Sequence, residues 1–210
     1  MGDPACPPSV PKVEGRQAEF RSMLHFYGLE HVYAVAPSFT SFGFETESSG
    51  IEIDGHTVRR RFLGGSWKRA FGRRVFLLPE LTGPIGFKVQ IRSFGTQVGA
   101  QVSEGPSVGL AVTTMDKYSD DTERGIQREI WVYYCRSGRL VAPNSGNIVG
   151  PVQRAASNEQ DIIGIILHPD GQVSLQKNDE DLGIAFSGLP TALKPVIEMN
   201  SEGCEIKMLE

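Results

Sequence analysis

Asp161-Ile162-Ile163-Gly164-Ile165-Ile166-Leu167 runs into His168-Pro169-Asp170-Gly171 and continues as Gln172-Val173-Ser174-Leu175-Gln176-Lys177-Asn178. The first piece is continuously apolar, as a central strand covered on both faces must be. Pro-Asp-Gly at 169–171 is a turn signal, because proline presets φ and glycine accepts positive φ. In the last piece Val173 and Leu175 alternate with Ser174 and Gln176, a period of two that buries one face of a strand. His168 adjoins this turn and is expected to be a solvated turn residue.

The same signals recur along the chain. Ile51 and Ile53 alternate with Glu52 and Asp54, and Phe87, Val89 and Ile91 with Lys88, Gln90 and Arg92. Val108, Leu110 and Val112 alternate with Gly109 and Ala111, and Arg136-Ser137-Gly138 and Asn144-Ser145-Gly146 are further turn signals. The 210 residues include 24 glycines and 13 prolines, in keeping with many turns. Phe39, Phe42 and Phe44 have strand spacing among serines and glycines. Short strands punctuated by turns predict an all-β sandwich or barrel from about residue 50 onward.

The N-terminal part differs. Pro4, Pro7, Pro8 and Pro11 predict a flexible, proline-rich leader over 1–12. Phe20, Met23, Leu24 and Tyr27 then fall on one helical face, with Gly28 at the C′ position. A short helix and an extension over 13–49 are expected to pack on the domain; a partner-binding helix is the alternative. Met1 to Cys6 has neither the basic nor the apolar region of a secretory signal. No apolar run approaches the roughly 20 residues that span a bilayer, so no membrane association is expected. Cys6, Cys135 and Cys204 are odd in number and far apart, which disfavours a disulfide framework or zinc site and favours an intracellular location, cytoplasmic or nuclear.

Searching for chemistry finds little. Gly64-Gly65-Ser66-Trp67-Lys68 breaks the nucleophile-elbow pattern at its last glycine, and neither a phosphate-binding loop nor a dinucleotide fingerprint occurs. His25, His31, His56 and His168 show no ligand spacing. The acidic run Asp116, Asp120, Asp121 and Glu123 lacks the glycine and closing glutamate of a calcium loop, and Asn178-Asp179-Glu180-Asp181 reads as a solvated turn. A non-catalytic protein with no metal or cofactor is expected.

The formal net charge of −4 conceals one basic segment. Arg59, Arg60, Arg61, Lys68, Arg69, Arg73 and Arg74 put +7 into residues 59–74 with no acid among them, which leaves −11 for the rest of the chain. Strand residues alternate faces, so Arg59-Arg60-Arg61 cannot all point one way. Solvated strand positions, an acidic protein ligand and single-stranded nucleic acid stacking on Trp67 and Phe71 are the three readings. The overall acidity disfavours nucleic acid.

The C-terminal third also carries an ordered set of motifs. Asp161-Ile162-Ile163-Gly164, Gln176-Lys177-Asn178, Leu182-Gly183-Ile184-Ala185-Phe186, Leu193-Lys194-Pro195 and Cys204-Glu205-Ile206 follow one another after Ser145-Gly146-Asn147-Ile148. Together they resemble the SPRY (B30.2-like) domain, with its "D-x-I-G", "K-N-G", "L-G-x-A-F", "L-x-P" and "C-x-I" motifs in the same order. Phe87 to Ile91 and Val108 to Val112 resemble two of its upstream strands, whereas Trp131-Val132-Tyr133-Tyr134 matches its "W-G" strand loosely. Asp179 stands where the turn glycine is usual, which predicts a longer or reshaped hairpin loop. A preceding PRY motif is not recognisable, so a stand-alone SPRY domain over 50–210 is expected.

The resemblance implies a bent antiparallel two-sheet β-sandwich of the concanavalin-like jelly-roll type. It implies a protein–protein interaction module whose loops at one end bind a peptide or protein, as the substrate-recognition or scaffold component of an assembly such as a ubiquitin ligase. The implied ligand-binding positions are Thr113, Thr114, Asp116 and Tyr118 after one strand, and Asn200, Ser201 and Glu202 before another. Tyr118 is the expected anchor, since a loop tyrosine gives large contact area at low entropy cost. The polar Asn200-Ser201-Glu202 replaces the apolar turn common in the family, so the ligand is expected to differ. A nucleic-acid-binding accessory domain built on 59–74 is the alternative.

Overall fold

The computed structural model describes residues 36–46, 49–61, 67–96, 105–113, 130–143 and 156–210. All strands fall in one compact unit, Pro37–Glu210, distinct from Met1–Ala36. The expected leader and helix lie outside the described residues, as do the turn at 144–146, Trp67's neighbours at 62–66 and the acidic run from Asp116 to Glu123.

Among the described residues the strands are β1 (Ser38–Phe39), β2 (Phe44–Glu45), β3 (Ile51–Asp54), β4 (Thr57–Arg60), β5 (Lys68–Gly72), β6 (Phe76–Leu77), β7 (Ile85–Phe94) and β8 (Ser107–Val112). They continue as β9 (Ile130–Tyr134), β10 (Arg139–Val141), β11 (Ile162–Leu167), β12 (Val173–Lys177), β13 (Glu180–Phe186), β14 (Ala192–Met199) and β15 (Cys204–Met208). One sheet has the order β13-β12-β11-β7-β15-β4-β3, with β1 parallel to the start of β7. The other has the order β10-β9-β8-β14-β5-β2, with β6 alongside β14. The expected all-β, two-sheet sandwich is the architecture found. Strand pairing begins before residue 50, because β1 and β2 each join a sheet within the stretch expected to be an extension.

Period-two burial holds on β7 as expected, and the structure shows inward faces on β11 and β15 as well. Phe87, Val89 and Ile91 on β7, Ile163, Ile165 and Leu167 on β11, and Cys204, Ile206 and Met208 on β15 meet Leu110, Tyr133, Leu193 and Ile197 from the facing sheet. Ile166 is buried as well, so β11 is covered on both faces. Val112 departs from its expected face and packs with a second cluster of Phe71, Ala111, Ile130, Val132, Val141 and Val196. That cluster makes the outer side of the second sheet apolar too, which alternation on single strands does not reveal.

The β12–β13 hairpin corrects an expectation. Asn178 and Asp179 have φ of 50° and 68°, and Lys177 pairs directly with Glu180, so the loop is a two-residue turn and not a longer one. Asparagine and aspartate tolerate this left-handed conformation in place of the missing glycine. The Asn178 side chain helps, accepting from the Ile162 N–H at 2.8 Å and donating to Asp161 Oδ1 at 2.8 Å. His168 is likewise not simply solvated, since its Nε2 lies 2.8 Å from Oγ of buried Ser174.

Asp161 ties this hairpin to the strand before it. Burial works to raise its pKa, but hydrogen bonds from Asn178 and the Asn158 N–H, with Lys177 Nζ at 3.8 Å, outweigh it and hold the carboxyl below its ordinary value. A depressed carboxylate contributes stability above its ordinary pKa and loses that contribution as pH falls through the folded value. Urea midpoints followed from neutral pH to about pH 3 are therefore expected to fall more steeply for the wild type than for Asp161→Asn. Parallel curves would refute this role.

Candidate functional site

The turn Asn200–Gly203 joins β14 of one sheet to β15 of the other, and it is cross-tied to neighbouring loops. The Gly203 N–H donates to the Arg60 carbonyl at 2.9 Å, and the Thr96 N–H donates to the Glu202 carbonyl at 2.8 Å. Cys204 N–H closes the turn on the Ser201 carbonyl at 3.2 Å, and Ser201 Oγ donates to Asn200 Oδ1 at 3.1 Å. Ser201 is buried, while Asn200 and Glu202 are half-exposed. Gly95 and Gly203 have φ of 76° and 73°. A Cβ on Gly95 would lie 2.7 Å from the Cys204 nitrogen, so only glycine lets these two chain segments approach.

Other chain segments complete this end of the sandwich. Glu159 Oε1 accepts from the Phe94 N–H at 2.9 Å, and the Arg136 guanidinium sits 4.6 Å from the Phe94 ring centre. The Ser157 N–H donates to the Cys135 carbonyl at 2.7 Å, while its hydroxyl lies 2.9 Å from the Tyr133 hydroxyl. Cys135 and Cys204 are buried free thiols. Burial pushes Cys204 up to about 12 and Cys135 well above the ordinary thiol range, so neither is a poised nucleophile. Among the described residues no group of three His, Cys, Asp or Glu could hold a metal ion. The arrangement offers a fixed polar rim, which suits recognition.

Of the expected ligand-binding residues, the described ones, Thr113 on one side and Asn200, Ser201 and Glu202 on the other, lie apart. Register pairs Val112 with Leu193 at one end of β14 and Ser107 with Glu198 at the other. Thr113 follows Val112, whereas Asn200 lies beyond Glu198. At about 3.3 Å per residue, the seven steps from Leu193 to Asn200 separate them by roughly 23 Å. The antiparallel pairing of β8 with β14 is the reason: the end of one strand faces the start of the other. Thr114, Asp116 and Tyr118 lie outside the described residues. Sequence reasoning missed Gly95, Thr96, Arg136 and Glu159. The available signal was glycine, since Gly95, Gly105, Gly138 and Gly203 all have positive φ and all lie at this end.

The basic segment is divided as well. Arg59 and Arg60 lie on β4 in one sheet, and Lys68 and Arg69 on β5 in the other. Arg59 Nε donates to Glu205 at 2.6 Å, Arg61 pairs with Glu52, and Arg69 Nε donates to Glu198 at 2.6 Å. Arg60 is buried, in line with the alternation of neighbouring strand residues. Of the seven, Arg61, Arg73 and Arg74 are exposed, the last two just beyond the end of β5.

A family profile described as "SPRY domain" matches residues 90–209. The SPRY domain of human HERC1 superimposes with a TM-score of 0.61 at 19% identity, covering 80% of this chain and 98% of that one. A second human SPRY domain gives 0.58 at 23% identity, covering 79% and 96%. The TRIM65 PSpry domain gives 0.58 at 10% identity, covering 92% and 99%. No curated protein matches the sequence. Among the described residues no helix is long and apolar enough to cross a membrane.

Proposed function

The chain belongs to the SPRY domain family, and we propose that it binds a peptide or protein through the loops around Asn200–Gly203, as a recognition or scaffold component inside the cell. SPRY domains are in general protein-interaction modules without catalytic function. The observation that carries the reading is the cross-tying of this end. The Arg60 and Thr96 segments bond the Asn200–Gly203 turn directly, and Glu159 and Arg136 brace Phe94 next to Thr96. A rim ordered in advance loses little entropy when a partner docks. Asn200 and Glu202 supply half-exposed polar groups, and Arg136 over Phe94 supplies a cationic edge.

The nucleic-acid reading has less support. Arg59, Arg61 and Arg69 already face Glu205, Glu52 and Glu198, so much of the segment's charge is matched within the fold. Partner capture with and without nuclease, followed by mass spectrometry, separates the two. Protein partners are expected to survive nuclease, and Glu202→Lys is expected to lower their recovery about tenfold, or about 1.4 kcal/mol, with an unchanged melting temperature. Loss of every partner on nuclease treatment, or indifference to Glu202→Lys, would overturn the proposal.

A further inference from the structure

We propose that Arg73 and Arg74, with Phe39, Thr40, Val75 and Leu77, form a second docking surface, at the opposite end of the sandwich, for a protein segment that combines carboxylates with apolar side chains. Arg73 lies five residues along the chain from Lys68, whose β14 partner is Met199 beside the Asn200–Gly203 turn. That spacing places the arginines roughly 17 Å away from that turn along β5.

Two independent observations meet there. First, charge is unmatched. Five described basic side chains find acids of their own fold: Arg59 with Glu205, Arg61 with Glu52, Arg69 with Glu198, Lys88 with Asp179, Lys177 with Asp161. Arg73 and Arg74 have no carboxylate partner among the described residues. Arg74 Nη1 donates to the neutral Thr40 hydroxyl at 3.2 Å, and its guanidinium lies 5.8 Å from the Phe76 ring centre. Second, apolar surface is exposed. The large apolar side chains exposed among the described residues are Phe39 at 38%, Val75 at 47%, Leu77 at 37% and Ile184 at 46%. Two of those four, Val75 and Leu77, directly follow the arginines, and the Arg74–Thr40 contact brings in Thr40 next to Phe39, whose ring carries Lys88 Nζ at 4.1 Å.

The platform is held firmly. The Arg73 N–H donates to the Gly43 carbonyl at 2.9 Å, and Leu78 N–H donates to the Thr191 carbonyl at 2.8 Å. Gly72, just before the arginines, packs so closely that a Cβ would lie 2.8 Å from Phe42 Cδ2 and 2.9 Å from Pro195 Cβ. Leu77 pairs with Ala192 on β14, which fixes Val75 and the arginines relative to the sheet. Planar guanidinium groups take carboxylates in bidentate fashion, and arginine beside exposed apolar side chains is the composition of an interface centre.

Fluorescence polarisation tests the proposal with a labelled synthetic peptide of about twelve residues, in which glutamate alternates with leucine and phenylalanine. Two comparison probes are a peptide with serine in place of every apolar residue and labelled single-stranded oligothymidylate. The wild type is expected to bind the first peptide saturably, and more weakly as salt rises. Arg73→Glu/Arg74→Glu is expected to lose at least tenfold in affinity and Val75→Ser/Leu77→Ser several-fold, while Arg92→Glu, on the exposed side of β7, leaves it unchanged. Circular dichroism confirms that each variant folds. No saturable binding, equal binding of the serine peptide, or binding of oligothymidylate with the peptide indifferent to the arginines would each overturn the proposal.

Discussion

Phe87→Ala is expected to destabilise the domain by about 4 kcal/mol, the usual range for emptying a buried phenylalanine site being about 3–5 kcal/mol. Phe87 is 1% exposed and sits on β7, opposite Ile165 of β11. Its ring meets Phe42 edge-on at 5.4 Å and 70°, and stacks on Phe76 at 6.5 Å and 7°. Phe42 in turn meets Phe44 and Phe76 edge-on at 5.7 and 6.5 Å. One truncation therefore removes a ring that contacts two others in a four-ring cluster joining β2, β6 and β7, and the backbone of a strand paired on both sides cannot collapse into the space. Each kcal/mol shifts the melting temperature by about 2–4 °C in a domain of this size, so a drop of roughly 10 °C is expected. Ile184→Ala, at an exposed position, is expected to stay within about 0.5 kcal/mol of wild type in the same urea titration. A loss below about 1.5 kcal/mol for Phe87→Ala, the range of far smaller deletions, would contradict the packing.

Glu198→Ala is expected to be comparably damaging, at about 3–5 kcal/mol, for an electrostatic reason. Glu198 is 2% exposed on β14, and register puts Arg69 of β5 opposite it on one side and Ser107 of β8 on the other. Its carboxylate accepts from Arg69 Nε at 2.6 Å and from Ser107 Oγ at 3.0 Å, so one side chain spans three strands. Removing it takes the balancing charge away from a guanidinium whose side chain is only 12% exposed. Replacing both members by apolar residues, Glu198→Leu with Arg69→Met, is expected to recover most of the loss, because a buried pair contributes little relative to good packing. A double-mutant cycle read by urea unfolding decides it. Additive losses, with the double variant as unstable as the two singles summed, would show that the pair is not coupled.

The contrast between these two positions explains what could be read in advance. Phe87 alternates with Val89 and Ile91 on one strand, and period two along a chain needs no knowledge of neighbours. The same holds for Val173 and Leu175, and for the unbroken run of β11. Glu198 and Arg69 are 129 residues apart, and no local pattern joins them. Arg69 therefore counted among seven candidate surface cations, although it belongs to a buried pair. Thr113 and Asn200 illustrate the same limit for the candidate site. Each occupies a loop position next to a recognisable strand, but the antiparallel register of β8 and β14 sends the two to opposite ends.

Legible in the residues alone were the all-β class, the recurring hairpins, the core faces of β7 and β12, the two-sided burial of β11, and the SPRY family motifs from Asp161 to Ile206. These follow from local physics, in which side chains alternate and particular residues permit particular turns. The residues also show that a net charge of −4 hides a +7 segment. Where that charge goes depends on strand pairing across the fold. Pairing between distant strands consumes Arg59, Arg61 and Arg69 within the fold, buries Arg60 and leaves Arg73 and Arg74 to solvent. The same pairing placed Asn200–Gly203 at one end of the sandwich and Thr113 with the two arginines at the other, because register is a property of two strands together and is written in neither alone.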